Sequence, residues 1–335
     1  MPGISESHPP AKRPLWAGGP EVGCVGFGGW GIGGRTPGDT SYGNTNDETS
    51  TAALRHAAER GITLFDTAPA YGEGRSERLI GQALKDRRAS IVLCSKVGVS
   101  TWQDQPDFSP DTIQASIEGS LNRLETDWLD VIYLHSPAPE LLLAADPVLE
   151  RLDALRARGI IGTWGISCKS PTDALQILER RPVDLFQVNL NMMDLRAAEC
   201  GLLETAERKG IGIVARTPLN FGFLTGAVDE TTEFTEGDHR RAWSAEQIAI
   251  WSQGARRLMA LTGAAPGDEA CVAAIRFCLS FPSVSSVLPG ALTPQEADVH
   301  ARAGGIGPLP RDIVEEIVLM NRQTRFFVRA ASTPV

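Results

Sequence analysis

The sequence predicts one α/β domain, a single (β/α)8 (TIM) barrel with an N-terminal β-hairpin and a long loop after the seventh strand. Three observations predict it. Short apolar runs at 62–65, 90–94, 129–134, 161–166, 185–188, 210–215 and 284–288, with another at 22–27, make eight strands. Helical patterns at about 75–86, 110–125, 146–158, 171–180, 196–209, 266–280 and 294–303 lie between them, and several open on the same punctuation: Ser109-Pro110, Asp146-Pro147, Ser170-Pro171 and Thr293-Pro294. Each pairs an N-cap oxygen with a proline at the first helical position, where the missing N–H costs nothing. The chain has 335 residues, 42% of them hydrophobic, and no break in composition marks a linker. Alternation of strand and helix over that length favours one barrel over two doubly wound domains.

The opening residues, MPGISESHPPAKRPL, are polar and proline-rich, with no apolar run of a secretion signal. Residues 1–13 are therefore expected as a disordered tail, 14–325 as the barrel and 326–335 as a flexible tail. In the glycine-rich stretch that follows, Val22, Cys24, Val25 and Phe27 suggest a hairpin leading into the first strand. Its GFGGWGIGG run lacks the lysine of a phosphate-binding P-loop, and no helix opens directly behind it. The first helix is predicted from an N-cap at Asp47 to a stop at Gly61, with Ala53, Leu54 and Ala57 on one face. About 50 residues separate the seventh strand from the helix at 266, and they contain a helix at 245–261. A loop this long after a strand reads as a lid or specificity loop on the catalytic face. A last helix at 311–321 is expected to pack across the barrel.

The net charge of −9 argues against nucleic acid or an anionic membrane surface as partner. No run of about 20 apolar residues offers a membrane span. A small-molecule substrate and a cytoplasmic location are expected; the oligomeric state is left open. The six cysteines contain no C-x-x-C pair and read as free, buried thiols, with Cys271 and Cys278 on one helix face. The five histidines do not cluster, so no metal site is expected.

Chemistry concentrates in LFDTAPAYGEG, residues 64–74, where Asp66 ends a buried strand and Tyr71 sits on the turn behind it. In a parallel barrel that end of the strands is where ligands bind. Lys96 closes the next strand (VLCSKVG) and His135 the one after (VIYLHSP), at spacings of 30 and 39 residues, about one strand–helix unit each. Singly, each residue has a bland explanation: a cap, a solvated lysine, a core histidine, a packing tyrosine. Projecting together from the same end of three consecutive strands, they converge on one mouth, and a reaction centre is the simplest account.

FDTAPAYG, CSKVG and IYLHSP resemble the signatures of the aldo-keto reductases, and the resemblance covers about residues 15–321. It implies NAD(P)H-dependent reduction of an aldehyde or ketone by a catalytic tetrad of Asp66, Tyr71, Lys96 and His135. Tyr71 would give the proton, its phenol, ordinarily with a pKa of about 10, brought down by the Lys96 ammonium. Asp66 would keep that ammonium charged and aimed, and His135 would orient the carbonyl oxygen.

The resemblance also implies a cofactor cradle, in which this sequence departs from the family pattern. Ser167 and Gln187 match residues that grip the nicotinamide carboxamide, but Cys168 stands where an asparagine is usual. Arg216 holds the place of an aromatic residue that stacks on the ring, and its charge would disfavour the oxidised, cationic ring. Gly29 and Trp30 after the first strand, Pro218, Leu219 and Gly222 after the seventh, and Gly290 after the eighth complete the cradle. At the adenosine end, Leu292, Glu296 and His300 replace Arg, Gln and Asn. The helix start at Thr293 still offers N–H groups to an anion. Family habit implies NADP(H), with NAD(H) as the alternative. Sugars and secondary metabolites are among the substrates such a site would take, their shape set by Trp30, Trp102 and the loop at 221–245. A cofactor-binding regulatory or sensor subunit, and an enzyme using its cofactor transiently for epimerisation or elimination, remain alternative functions. A Schiff base at Lys96 is disfavoured, because Asp66 would keep the amine protonated.

Overall fold

The computed structural model describes residues 8–144 and 146–328. Of the expected tails at 1–13 and 326–335, residues 1–7 and 329–335 lie outside the described residues, whereas Lys12 and Arg13 stand in a strand and Phe326 is buried. Among the described residues, ten strands and twelve α-helices follow in the order the alternation predicts. Strands β1 (Lys12–Pro14) and β2 (Glu21–Gly23) form an antiparallel hairpin. The barrel strands are β3 (Phe27–Gly28), β4 (Leu64–Asp66), β5 (Val92–Val97), β6 (Leu129–His135), β7 (Ile161–Ser167), β8 (Leu185–Asn189), β9 (Gly212–Arg216) and β10 (Val284–Leu288). Neighbours pair in parallel throughout. Bridges from Val25 to Val287 and from Gly28 to Gly290 join the last strand to the first and close the ring.

The helices are α1 (Asp47–Glu59), α2 (Arg75–Leu84), α3 (Pro110–Leu124), α4 (Pro139–Ala144), α5 (Asp146–Ala157), α6 (Pro171–Leu178), α7 (Arg196–Glu199), α8 (Leu202–Lys209), α9 (Ala245–Thr262), α10 (Asp268–Leu279), α11 (Pro294–Ile306) and α12 (Arg311–Gln323). The predicted first strand is divided. Residues 21–23 belong to the hairpin, and the barrel strand begins only at Phe27. The N-cap of α1 is Asn46, whose side chain accepts from Thr49 N–H, one residue earlier than predicted. The helix expected over 196–209 is two, because Gly201 at φ 83° turns the chain between them. Ser170 and Thr293 each form a capping box ahead of a proline, as their sequences suggest. Helix α12 packs on α9 and on the loop after β8, where Asn321 Nδ2 donates to Met192 O at 2.9 Å.

Two apolar layers follow from the strand period of two. Inward residues including Leu64, Cys94, Val131, Tyr133, Leu185, Val214 and Leu288 fill the barrel together with Leu15 and Val22 of the hairpin. The hairpin therefore plugs one end. Ser285 and Ser286 hydroxyls donate to Leu15 O and Gly23 O, and Arg13 donates to Val284 O and Leu279 O. Gly212 permits this plug, since a Cβ there would stand 1.7 Å from Leu15 O. Outward residues such as Phe65, Leu93, Ile132, Phe186 and Ile213 pack beneath the helices. All six cysteines are free and five are buried.

Candidate active site

The inward periodicity builds the site. Leu64, Cys94, Tyr133, Leu185 and Val214 point into the barrel. Two residues further along each strand, on the same face at the C-terminal mouth, stand Asp66, Lys96, His135, Gln187 and Arg216. An apolar barrel thus ends in a ring of polar groups held on rigid strands.

Lys96 is completely buried and its ammonium pairs with Asp66 Oδ1, with a further bond to Thr67 O at 3.0 Å. Burial opposes this charge, but the Asp66 carboxylate and then Tyr71 outweigh it, holding the Lys96 pKa above the usual lysine value. The ammonium lies 4.8 Å from the centre of the Tyr71 ring. Asp66 Oδ2 accepts from Gln187 Nε2 at 2.8 Å, and Gln187 Oε1 accepts from Ser167 Oγ at 3.0 Å. The carboxylate is thereby fixed from both sides. Across the mouth the His135 ring meets Tyr71 edge to face at 6.2 Å. Burial first, then the Lys96 and Arg216 charges, push the His135 pKa well below the usual range, so the ring is neutral at neutral pH. Its Nδ1 is buried with no hydrogen-bond partner among the described residues.

Around Tyr71 stand the indoles of Trp30 and Trp102, 6.4 and 6.3 Å from its ring. Gly29 beside them is a close-packing position. Its N–H donates to Asp66 O, its carbonyl accepts from Ser76 Oγ, and a Cβ would stand 2.7 Å from both Asp66 O and Ser76 Oγ. On the opposite wall Arg216 Nη2 donates to the Cys168 carbonyl at 3.0 Å, while burial pushes the Cys168 thiol up and keeps it neutral. Three further buried polar atoms at this wall have no partner among the described residues: Arg216 Nε, Asn189 Oδ1 and Ser136 Oγ. Such atoms are costly unless something else satisfies them.

After β9 the backbone is unusual. Thr217, Asn220 and Phe221 have φ of 56°, 43° and 58°, and Pro218, Leu219 and Gly222 lie in the same turn. The long loop then crosses to the segment after β3. Asp238, buried, bridges to Ser41 and Tyr42, and its carboxylate takes both Nε and Nη2 of Arg240. His239 N–H donates to Ser41 O, and its Nδ1 meets the same oxygen at 2.8 Å. A carbonyl only accepts, so Nδ1 carries the ring proton. Arg35 pairs with Glu236 at the edge of this strap. Asp238→Ala is expected to release it: amide exchange at His239 and Arg241 should accelerate by at least tenfold and KM should rise several-fold, while global unfolding changes little. Unchanged exchange at those amides would show that the strap is held elsewhere.

At the start of α11, Glu296 Oε2 accepts from the N–H groups of Leu292 and Thr293 at 2.6 and 3.3 Å, and Glu296 N–H donates to Thr293 Oγ1. The amides expected to meet an anion are thus held by the protein's own carboxylate. Leu292 packs over Gly31, Gly290 lies exposed on the rim, and His300 is buried, its pKa pushed down to about 4 by desolvation. No group of three or more His, Cys, Asp or Glu suited to a metal occurs among the described residues, and none of their helices is long and apolar enough to cross a membrane.

The structure therefore gathers the four sequence-predicted reaction residues, together with Ser167, Gln187 and Arg216, at one mouth. Asn189, Ser136 and Tyr42 stand at or beside the same mouth, beyond the residues to which the sequence points. Asn189 could have been found from its position two residues beyond Gln187.

The Aldo/keto reductase family model matches residues 24–321. Aldo-keto reductase YhdN of Bacillus subtilis (strain 168) is 30% identical over 294 residues, covering 85% of this chain and 86% of the relative. The NADH-specific methylglyoxal reductase of Escherichia coli (strain K12) is 26% identical over 302 residues, covering 83% and 89%. In fold, the chain is similar to the holo form of aldo-keto reductase AKR11C1 from Bacillus halodurans, with a TM-score of 0.74 at 24% identity over 96% of this chain and 99% of that one. With the polar ring at the barrel mouth and a family match spanning nearly the whole described chain, this protein belongs to the aldo-keto reductase family, the NAD(P)H-dependent oxidoreductases of carbonyl groups.

Proposed function

We propose that this protein reduces the carbonyl of a small molecule, with Tyr71 as proton donor. The observation that carries this reading is the wholly buried Lys96, paired with Asp66 and set 4.8 Å from the Tyr71 ring. A buried cation beside a phenol favours the phenolate, which is what remains after Tyr71 has given its proton to the carbonyl oxygen. Asp66, clamped by Gln187, keeps the cation in place. Neutral His135 hydrogen-bonds the carbonyl oxygen and shares its developing charge. Trp30 and Trp102 exclude water and offer flat faces with unpartnered indole N–H groups, a wall that suits a ring bearing hydroxyls, so sugars are the substrate class to try first.

The residues at the mouth fit a nicotinamide, because several buried polar atoms there lack partners. When bound, the reduced ring supplies the hydride. Arg216 sets a cation at that wall, so the reduced form should bind roughly tenfold more tightly than the oxidised one, and Arg216→Tyr should narrow the gap. Equal dissociation constants in the wild type would refute this. At the adenosine end, the occupied amides beside Glu296 remove the anchor for a 2′-phosphate, and they support NAD(H) over the NADP(H) that family habit implies. Dissociation constants for all four forms decide the preference. The reaction itself is tested by NAD(P)H absorbance with a panel of aldehydes, ketones and sugars. One cofactor consumed per alcohol formed supports the proposal. Binding without consumption would make the chain a sensor or regulatory subunit, and product without net consumption would indicate transient use of the cofactor.

A further inference from the structure

At the wall formed by the ends of β7, β8 and β9, the groups best known from the sequence are already engaged with one another. Gln187 uses its amide nitrogen on Asp66 and its oxygen on Ser167, whose proton is thereby spent. Cys168 brings a neutral thiol, a weak donor, and its carbonyl is taken by Arg216. A carboxamide arriving here would need one acceptor for its N–H and one donor for its C=O. Beside the Ser136 hydroxyl, the strands β8 and β9 themselves have one of each to spare. Asn189 Oδ1 and Arg216 Nε are both buried without partners, and Asn189 and Arg216 are register partners on adjacent parallel strands. Leu185, Gln187 and Asn189 share a face, as do Val214 and Arg216, so both side chains point into the mouth. Adjacent strands lie about 4.8 Å apart, a spacing that one planar amide can bridge with two hydrogen bonds. Arg216 Nη2 is anchored on Cys168 O, which fixes the edge from which Nε donates.

We propose that Asn189 Oδ1 and Arg216 Nε, paired across β8 and β9, hold the nicotinamide carboxamide, the oxygen accepting its N–H and the guanidinium donating to its C=O. In this role they are positioning residues that set the face the ring presents to the substrate, and they take over the contact that an asparagine at position 168 would have made. The inference rests on the nicotinamide reading above.

The test is calorimetric binding of two reduced dinucleotides to the whole protein: the natural carboxamide form, and the 3-acetylpyridine form, in which a methyl group replaces the amide nitrogen. The wild type should prefer the carboxamide by about tenfold, the effect of leaving one buried acceptor unsatisfied. Asn189→Leu should abolish that preference, and Asn189→Asp, which keeps the acceptor, should retain it. Arg216→Leu should weaken both dinucleotides by a similar factor, since both carry the C=O, and leave their ratio unchanged. An unaltered tenfold ratio in Asn189→Leu, or no preference in the wild type, overturns the assignment while leaving the nicotinamide reading intact. Failure of the wild type to bind either dinucleotide overturns both. A circular dichroism spectrum matching the wild type establishes that each variant is folded, and Asn189→Ala, which also removes the acceptor and should also abolish the preference, carries the test should the Leu variant not fold.

Discussion

Tyr71→Phe should lower kcat by about 10³-fold while changing the dissociation constant of the reduced dinucleotide less than threefold. The substitution removes one oxygen and keeps the ring that packs between Trp30 and Trp102, so the walls of the mouth persist. Lys96 and Asp66 keep their pairing, because neither depends on the phenol for its main partner. What is lost is the proton given to the carbonyl oxygen. Pre-steady-state absorbance separates the outcomes. If hydride transfer is slowed and binding is not, Tyr71 acts in the chemical step; if binding falls as far as turnover, its role is to shape the pocket.

Lys96→Met should destabilise the fold by about 3–5 kcal/mol and abolish turnover, because it leaves the Asp66 carboxylate buried beside an apolar side chain. Gln187 still donates to the carboxylate, but one neutral donor cannot replace a cation. The Lys96→Met/Asp66→Asn double variant should recover a large part of the lost stability without recovering activity, since the uncompensated charge is gone but the activating cation is too. Denaturant unfolding of the two singles and the double measures this coupling, and simple additivity would mean that the pair is not a coupled unit. The pH dependence has a defined sign. The Lys96 pKa is raised by folding, so the contribution of the pair is complete below the unfolded lysine value of 10.5 and is lost as pH rises through the higher folded value.

The strands of this barrel are legible in the sequence because seven are short apolar runs, bounded by caps and prolines that punctuate the helices between them. The first is different. Cys24 and Val25 lie between hairpin and barrel, so a continuous apolar run conceals two elements with different partners, and local pattern carries no information about partners. The break at Gly201 was hidden by good helix formers on both sides, and α4 by its brevity. At the site, Asp66, Lys96 and His135 are legible because each sits two residues beyond an inward apolar residue, at the point where polarity replaces the core. Glu296 shows the opposite case. Its place in the sequence suggests a ligand contact, but Thr293 three residues earlier makes it a capping box, and the box decides where the carboxylate goes. The strap is illegible because nothing local links Asp238 to Ser41 and Tyr42, almost 200 residues away in the chain.

The aromatic packing of the mouth continues into the strap. Trp30 contacts His239, His239 contacts Phe221 and Trp243, and Trp243 meets Trp251 at 4.9 Å with the rings nearly perpendicular. Four of the seven tryptophans, Trp30, Trp102, Trp243 and Trp251, belong to this one chain of rings. Indoles held at fixed angles this close share their electronic excitations, and the resulting near-ultraviolet circular dichroism depends on their mutual geometry. The protein therefore carries a built-in optical signal of how the strap sits on the mouth, one that can be followed without any added dye and without turnover.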